Sequence, residues 1–234
     1  MRVFAISDLH LSLAFPKEMD IFGDNWIDHW GKIRDSWQQT VSEDDVVLVP
    51  GDISWAMKLD DAMLDLNSIA EMPGQKILLR GNHDYWWQSI SKVRSALPKG
   101  MYALQNDCVE YDAFTICGTR GWTCPGNVSF SQSDNKIYER EVARLRMSLS
   151  AARKGKPIIA MLHYPPFNEK RQPSGFTEAL EEFQARRLVY GHLHGKSHWR
   201  AFEGDYNGID MRLVSCDYLD FKVKEIDVPL YGAL

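Results

Sequence analysis

Residues 76–87 read Lys-Ile-Leu-Leu-Arg-Gly-Asn-His-Asp-Tyr-Trp-Trp, an aliphatic run that stops abruptly in Asn82, His83 and Asp84 before three aromatics. Residues 77–79 have the composition of a strand buried on both faces, because a strand with one wet face alternates polar and apolar residues and this one does not. A core strand that ends in three polar side chains ends in either a turn or a site. Four other stretches repeat the pattern: 3–6 before Asp8 and His10, 46–49 before Asp52, 158–162 before His163, and 188–190 before His192 and His194. Helical periodicity lies between them, over 25–39, 59–71, 85–97 and 134–154. Ser133 or Asp134 can cap the last of these helices, and Gly155-Lys-Pro157 stops it.

Strand alternating with helix predicts parallel βαβ units and an α/β fold. Residues 101–118 and 197–228 instead alternate like strands with one exposed face. Tyr206-Asn207-Gly208-Ile209 carries a hairpin signal, since Asn-Gly accepts the positive φ angles of a type I′ turn. Mixed sheets are therefore expected, with antiparallel strands added toward the C-terminus, in a single domain over 1–234. The longest loops are expected at 125–134 and 165–177.

Composition narrows the function classes. The 234 residues are 44% hydrophobic and 25% charged, enough to bury a full core. The formal net charge is −5 and the basic residues form no block, so there is no electrostatic footprint for a nucleic-acid backbone. The apolar run at 3–6 is too short for a signal peptide, and no window has the length to span a bilayer. The four cysteines, Cys108, Cys117, Cys124 and Cys216, form no C-x-x-C pair and read as reduced, mostly buried thiols. A cytoplasmic protein is expected.

In open α/β sheets the carboxyl ends of the strands converge on one crevice, so polar groups from distant segments can meet there. Five of the seven histidines fall at such ends. On extended backbone the carboxylate of Asp8 and the imidazole of His10 project to the same side while Leu9 turns into the core, and His192 and His194 repeat the device. Asp52, taken alone, is equally a turn residue or a helix N-cap. Together, Asp8, His10, Asp52, Asn82, His163, His192 and His194 offer oxygen and nitrogen without thiolate, which suits divalent Mn, Fe, Zn or Ni better than Ca or Mg. Seven groups are too many for one ion, whereas two ions sharing a carboxylate fit the count.

In order, the chain carries DLH, GD, GNHD, H and GHLH from Asp8 to His194. This set resembles the calcineurin-like metallophosphoesterases of the bacterial phosphohydrolase type. The resemblance implies a four-layer αββα sandwich of two mixed β-sheets with a dinuclear centre at the strand ends. It also implies one ion on Asp8, His10 and His194, a second on Asn82, His163 and His192, and Asp52 bridging. His83 would face the substrate phosphate as a catalytic residue, and Asp84 would orient it. The second block departs from the family's usual G-D-x-x-D or terminal Arg, reading Gly51-Asp-Ile-Ser-Trp55.

The expected activity is a metal-dependent phosphohydrolase, in which water acidified between two ions attacks phosphorus and His83 assists the leaving group. Its substrate would be a small phosphate ester such as a nucleotide. Trp86 and Trp87 serve either the core or the wall of the pocket. In the second case they act with Trp122, Tyr164 and Phe167, stack on a base or aryl group, and favour a phosphodiester over a phosphomonoester. Arg120 either clamps a phosphate oxygen or lies in a surface turn. His29, on a helix, and His198, on a strand, read as structural. Two other classes compete: a scaffold of this fold without turnover, and a nuclease, against which the acidic balance argues. No motif sets an oligomeric state.

Overall fold

The computed structural model describes residues 1–228; residues 229–234, which the single-domain expectation includes, lie outside the described residues. Five strands form the first sheet: β1 (Val3–Ala5), β2 (Val46–Pro50), β3 (Gln75–Leu79), β4 (Met101–Ala103) and β11 (Lys224–Ile226), in the order β11-β1-β2-β3-β4. All are parallel except β11, which pairs antiparallel with β1. The second sheet has the order β5-β6-β7-β8-β10-β9. It comprises β5 (Cys108–Glu110), β6 (Thr115–Thr119), β7 (Ile158–Leu162), β8 (Arg187–Tyr190), β9 (Gly204–Tyr206) and β10 (Ile209–Leu213). Here β6, β7, β8 and β10 are parallel, and β5 and β9 are antiparallel edges.

The alternation of side chains explains the layering. In β1 and β2, Val3, Ala5, Val46 and Leu48 face Ile159, Met161 and Val189 of the other sheet, forming an apolar seam between the sheets. Phe4, Val47 and Val49 point the other way, onto α1 (His29–Thr40) and α2 (Leu59–Ala70), where Trp37 and Leu66 are fully buried. Ala160 and Leu162 of β7 likewise point outward onto α4 (Gln132–Ser150) and α5 (Gly175–Glu182), meeting Leu145 and Phe176. Two sheets packed face to face, each covered by helices, make the expected four-layer sandwich, and burial on both faces is why the strands read as unbroken aliphatic runs.

Several boundaries move, each for a local reason. The first helix starts at His29 instead of residue 25, because Asp28 adopts a left-handed conformation (φ 48°) after a short 3-10 turn. The helix expected over 85–97 is only α3 (Ile90–Ala96), since the Asp84 carboxylate and the Trp86 indole hold the preceding residues in a turn. The long helix is capped by Ser131, through a reciprocal box with Asp134, and ends at Ser150 instead of 154. The loop expected over 165–177 gives way to α5 at Gly175, where Ser174 and Thr177 form a second capping box. Asn207 (φ 53°) and Gly208 (φ 83°) form the expected hairpin. The 197–228 segment is not wholly antiparallel, however: it opens in a 3-10 turn, and β10 runs parallel to β8. All four cysteines are free. Among the described residues no helix is long and apolar enough to cross a membrane.

Candidate metal centre

The carboxyl ends of β1, β2 and β3 in one sheet and of β7 and β8 in the other meet in a single crevice. Four of the side chains there do not leave from extended backbone, whereas His194 does. Asp8 (φ 59°), His10 (φ 47°), Asp52 (φ 52°) and His192 (φ 74°) are all left-handed. Each such conformation costs about 1–3 kcal/mol and persists only where the surroundings over-determine it. The reading of Asp8-Leu9-His10 as extended is therefore corrected: the two polar side chains converge because the chain coils at the strand end, while Leu9 is fully buried as expected. Glycine precedes the polar residues because the strand ends pack backbone against ligand. A Cβ on Gly81 would collide with Asp52, and one on Gly191 with Ser7 and Asp8.

Two overlapping groups result. Donor atoms of Asp8, His10 and His194 lie within 4.8 Å of one another, as do those of Asp8, Asp52 and His163. Asp52 Oδ2 lies 3.8 Å from His10 Nε2 and 3.5 Å from His163 Nε2, between the two groups. Asn82 Oδ1 is 2.7 Å from His163 Nε2. The His192 backbone N–H donates to Asp8 at 3.1 Å, and its ring centroid is 5.1 Å from that of His163. All seven sequence-derived candidates thus reach one crevice.

The imidazole tautomers are set from behind. His163 Nδ1 donates to the Pro50 carbonyl at 3.0 Å, which turns Nε2 with its lone pair toward Asn82 and Asp52. His194 Nδ1 is held by Asp217 Oδ1 at 2.8 Å, which aims Nε2 at Asp8 Oδ1 (3.3 Å) and His10 Nε2 (3.4 Å). The centre crowds carboxylate oxygens and imidazole nitrogens together, and its electrostatics follow. Burial, reinforced by the Asp8 and Asp84 carboxylates, pushes Asp52 up to about 9. Against burial, Asp8 and Asp217 push His194 up to about 10. Burial drives His163 down to about 4 and His192 to about 3, keeping both neutral. A site where a carboxylic acid and an imidazole both hold protons at neutral pH captures positive charge, and its oxygen and imidazole donors fit a borderline divalent cation. The one nearby thiol is excluded, because Cys216 Sγ is buried and turned onto the Asp8 carbonyl at 3.0 Å.

The sequence of residues 1–196 matches the calcineurin-like phosphoesterase family. The chain belongs to that family. Among relatives of this phosphoesterase, the Gene 66 protein of Mycobacterium phage L5 is 24% identical over 188 residues, spanning 80% of this chain and 75% of the phage protein. Two solved structures share the fold. Phosphopantetheinyl hydrolase PptH from Mycobacterium tuberculosis superposes with a TM-score of 0.57 at 15% identity, covering 96% of this phosphoesterase and 95% of PptH. AQ665 from Aquifex aeolicus, a protein of unknown function, does so with a TM-score of 0.51 at 16% identity over the same shares. Divalent metal ions are the family's cofactors, and this phosphoesterase has the donor groups for them.

Some expected roles are corrected. Asp84 does not orient His83: its carboxylate accepts from Gly81 N (2.7 Å), Ile53 N (2.9 Å), Ser54 N (3.2 Å) and Trp86 Nε1 (2.9 Å), while His83 Nδ1 has no hydrogen-bond partner. Asp84 is the knot of the turn that presents Asn82 and His83. Trp86 is fully buried and Trp87 nearly so, which removes both from any pocket wall. Tyr164 does flank the crevice, its ring 4.1 Å from His192 and 5.1 Å from Trp122. Arg120 points into a neighbouring cavity, paired with Glu141 at 3.4 Å.

Four contributors are not legible in the sequence. Asp217 follows β10, at the same sheet edge as the other polar groups, because β10 runs parallel to β8 and not antiparallel as the sequence pattern suggests. His198, expected on a strand, lies in a 3-10 turn 3.2 Å from the same carboxylate. Ser7 hydrogen-bonds Asp8 Oδ2. Trp55 occupies the position at which the second motif departs from the family's pattern. Its ring stacks on His10 at 4.8 Å and lies 4.4 Å from His83, with Lys17 Nζ 3.1 Å from its centroid. That departure was the available signal.

Proposed function

We propose that this phosphoesterase holds two divalent transition-metal ions, with Mn, Fe or Zn suited to its donors, and hydrolyses a small phosphate ester, favouring a diester over a monoester. Asp8, His10 and His194 would hold one ion, Asn82, His163 and His192 the other, with Asp52 between them. The observation that carries this reading is the inward convergence of carboxylate oxygens and imidazole lone pairs whose tautomers are fixed by Pro50 and Asp217. When bound, such ions supply Lewis-acid stabilisation of charge on a phosphoryl group and water acidic enough to attack it at neutral pH.

The chain's own residues do the rest. Burial and then the charge of Lys17 hold His83 below its ordinary pKa, so at neutral pH its ring carries a single proton, available to a phosphoryl or leaving-group oxygen. Its backbone N–H donates to Asp52 Oδ1 at 2.8 Å, and Trp55 fixes the ring plane. A cavity of about 180 Å³, lined by Asn127, Tyr164, Phe167, His192 and Arg200 among others, adjoins His192 and has room for a second ester substituent. Its aromatic wall supports the diester preference.

The test is metal content of the purified protein together with hydrolysis of bis(4-nitrophenyl) phosphate and 4-nitrophenyl phosphate, before chelation, after it, and after manganese return. Expected are two ions per chain, loss of both activities on chelation, their recovery with manganese, and the higher kcat/KM on the diester. Metal binding without hydrolysis of either ester would point to a scaffold instead.

A further inference from the structure

One strand along the same crevice, the ends of β3, β4 and β6 enclose a second cavity of about 120 Å³, lined by Arg80, Gln88, Gln105, Arg120, Glu141 and Arg144 among others. Its lining is tied to the metal centre through the backbone. Arg80 stands two residues before Asn82, and the Arg120 carbonyl accepts from the backbone N–H groups of both His163 and Tyr164 at 3.0 Å. Its chemistry is the inverse of its neighbour's. Three guanidinium groups line the cavity and two of them share one carboxylate: Glu141 takes Arg144 at 2.7 Å and Arg120 at 3.4 Å through Oε1, and Thr119 at 2.5 Å through Oε2.

Arg80 has no ion-pair or hydrogen-bond partner among the described residues, and the Nε atoms of both Arg80 and Arg120 are buried without an acceptor. A net excess of positive charge, with unmatched buried N–H groups in a planar fork, is what a phosphate or carboxylate satisfies.

We infer that this cavity is an oxyanion subsite holding a second phosphoryl group of the substrate, so that the preferred esters carry one phosphate at the metal centre and another against Arg80, Arg120 and Arg144. The substrate half of this statement rests on the phosphoesterase reading above; the binding of an anion does not.

Metal-stripped protein isolates the cavity, because phosphate then has no bound cation to coordinate. Calorimetric titration with inorganic phosphate at low salt should give one saturable site. Its affinity should fall at least tenfold in Arg80→Gln and in Arg144→Gln, and should not change in Arg212→Gln, where the arginine is paired with Asp210 and Glu203 on another face. Arg144 is 43% exposed, so its variant keeps the test decisive if Arg80→Gln fails to fold. In metal-loaded protein, the kcat/KM ratio of a nucleoside bisphosphate to the matching monophosphate should exceed one and fall at least tenfold in the same variants. No phosphate binding in the wild type, or equal binding in all variants, overturns the subsite. Equal turnover of the two nucleotides overturns its role in substrate choice. Phosphate binding with neither nucleotide hydrolysed leaves the subsite standing and defeats the phosphoesterase reading instead.

Discussion

The two halves of the crevice are electrostatic opposites built from the same scaffold. Where β1, β2, β7 and β8 end, carboxylates and imidazole lone pairs converge, and positive charge is drawn in strongly enough to hold Asp52 and His194 protonated near neutrality. Where β3, β4 and β6 end, the groups are donors without acceptors, and Arg80 and Arg120 keep buried N–H groups unmatched. Buried polar groups left without partners cost about 1–3 kcal/mol each, more when charged. A fold that carries both kinds side by side is matched to a ligand supplying both complements: cations for one end, and an anion long enough to reach the other.

Substitutions that act on one end alone sharpen this contrast, and His83→Ala should have the largest effect. His83 lies at the acidic end without belonging to the cluster of acceptors, so turnover should fall roughly a hundredfold, the scale of a lost proton-transfer group, while metal content stays near that of the wild type. Parallel metal analysis and steady-state kinetics check this; equal loss of metal would move His83 into the cluster. Asp217→Ala comes next. Removing the carboxylate that fixes the His194 tautomer should weaken metal affinity about tenfold, with activity restored at saturating manganese. A metal titration of activity reads this directly, and a deficit that no manganese concentration corrects would assign Asp217 another role.

Glu141→Gln should have the smallest effect and the opposite sign. It removes the carboxylate that pairs with Arg120 and Arg144 and should tighten phosphate binding to the metal-stripped protein roughly fivefold, the scale of one charge pair near 1 kcal/mol. Weakened binding would mean that Glu141 positions the arginines more than it neutralises them.

Legibility along the chain follows the range of the interactions involved. Residues 77–79, and the four stretches like them, announce themselves because burial on both faces forces an unbroken aliphatic run, whereas the four layers are implied only by the family resemblance. The helix starts at Ser131 and Ser174 are also local, written in capping boxes, but only the region of the first was read. The break before α3 was not readable from periodicity. Tyr85, Trp86 and Trp87 look like the opening of a helix until Asp84, knotted to Gly81 and Ile53, takes the indole of Trp86. Asp217 was hidden because its importance depends on the direction of β10, which is set by pairing with β8 and not by its own residues.

From its sequence alone, this protein's two-sheet α/β class, its family and the seven polar residues at its strand ends could be named, because strand burial and motif order are local and periodic. Only the tertiary structure decided that Asp84 ties a turn instead of orienting His83, that Trp86 belongs to the core, that Trp55 holds the two histidines, and that Arg80, Arg120 and Arg144 gather around one cavity. Those outcomes depend on which atoms from different strands come within a few ångströms of one another, and spacing along a chain does not specify that.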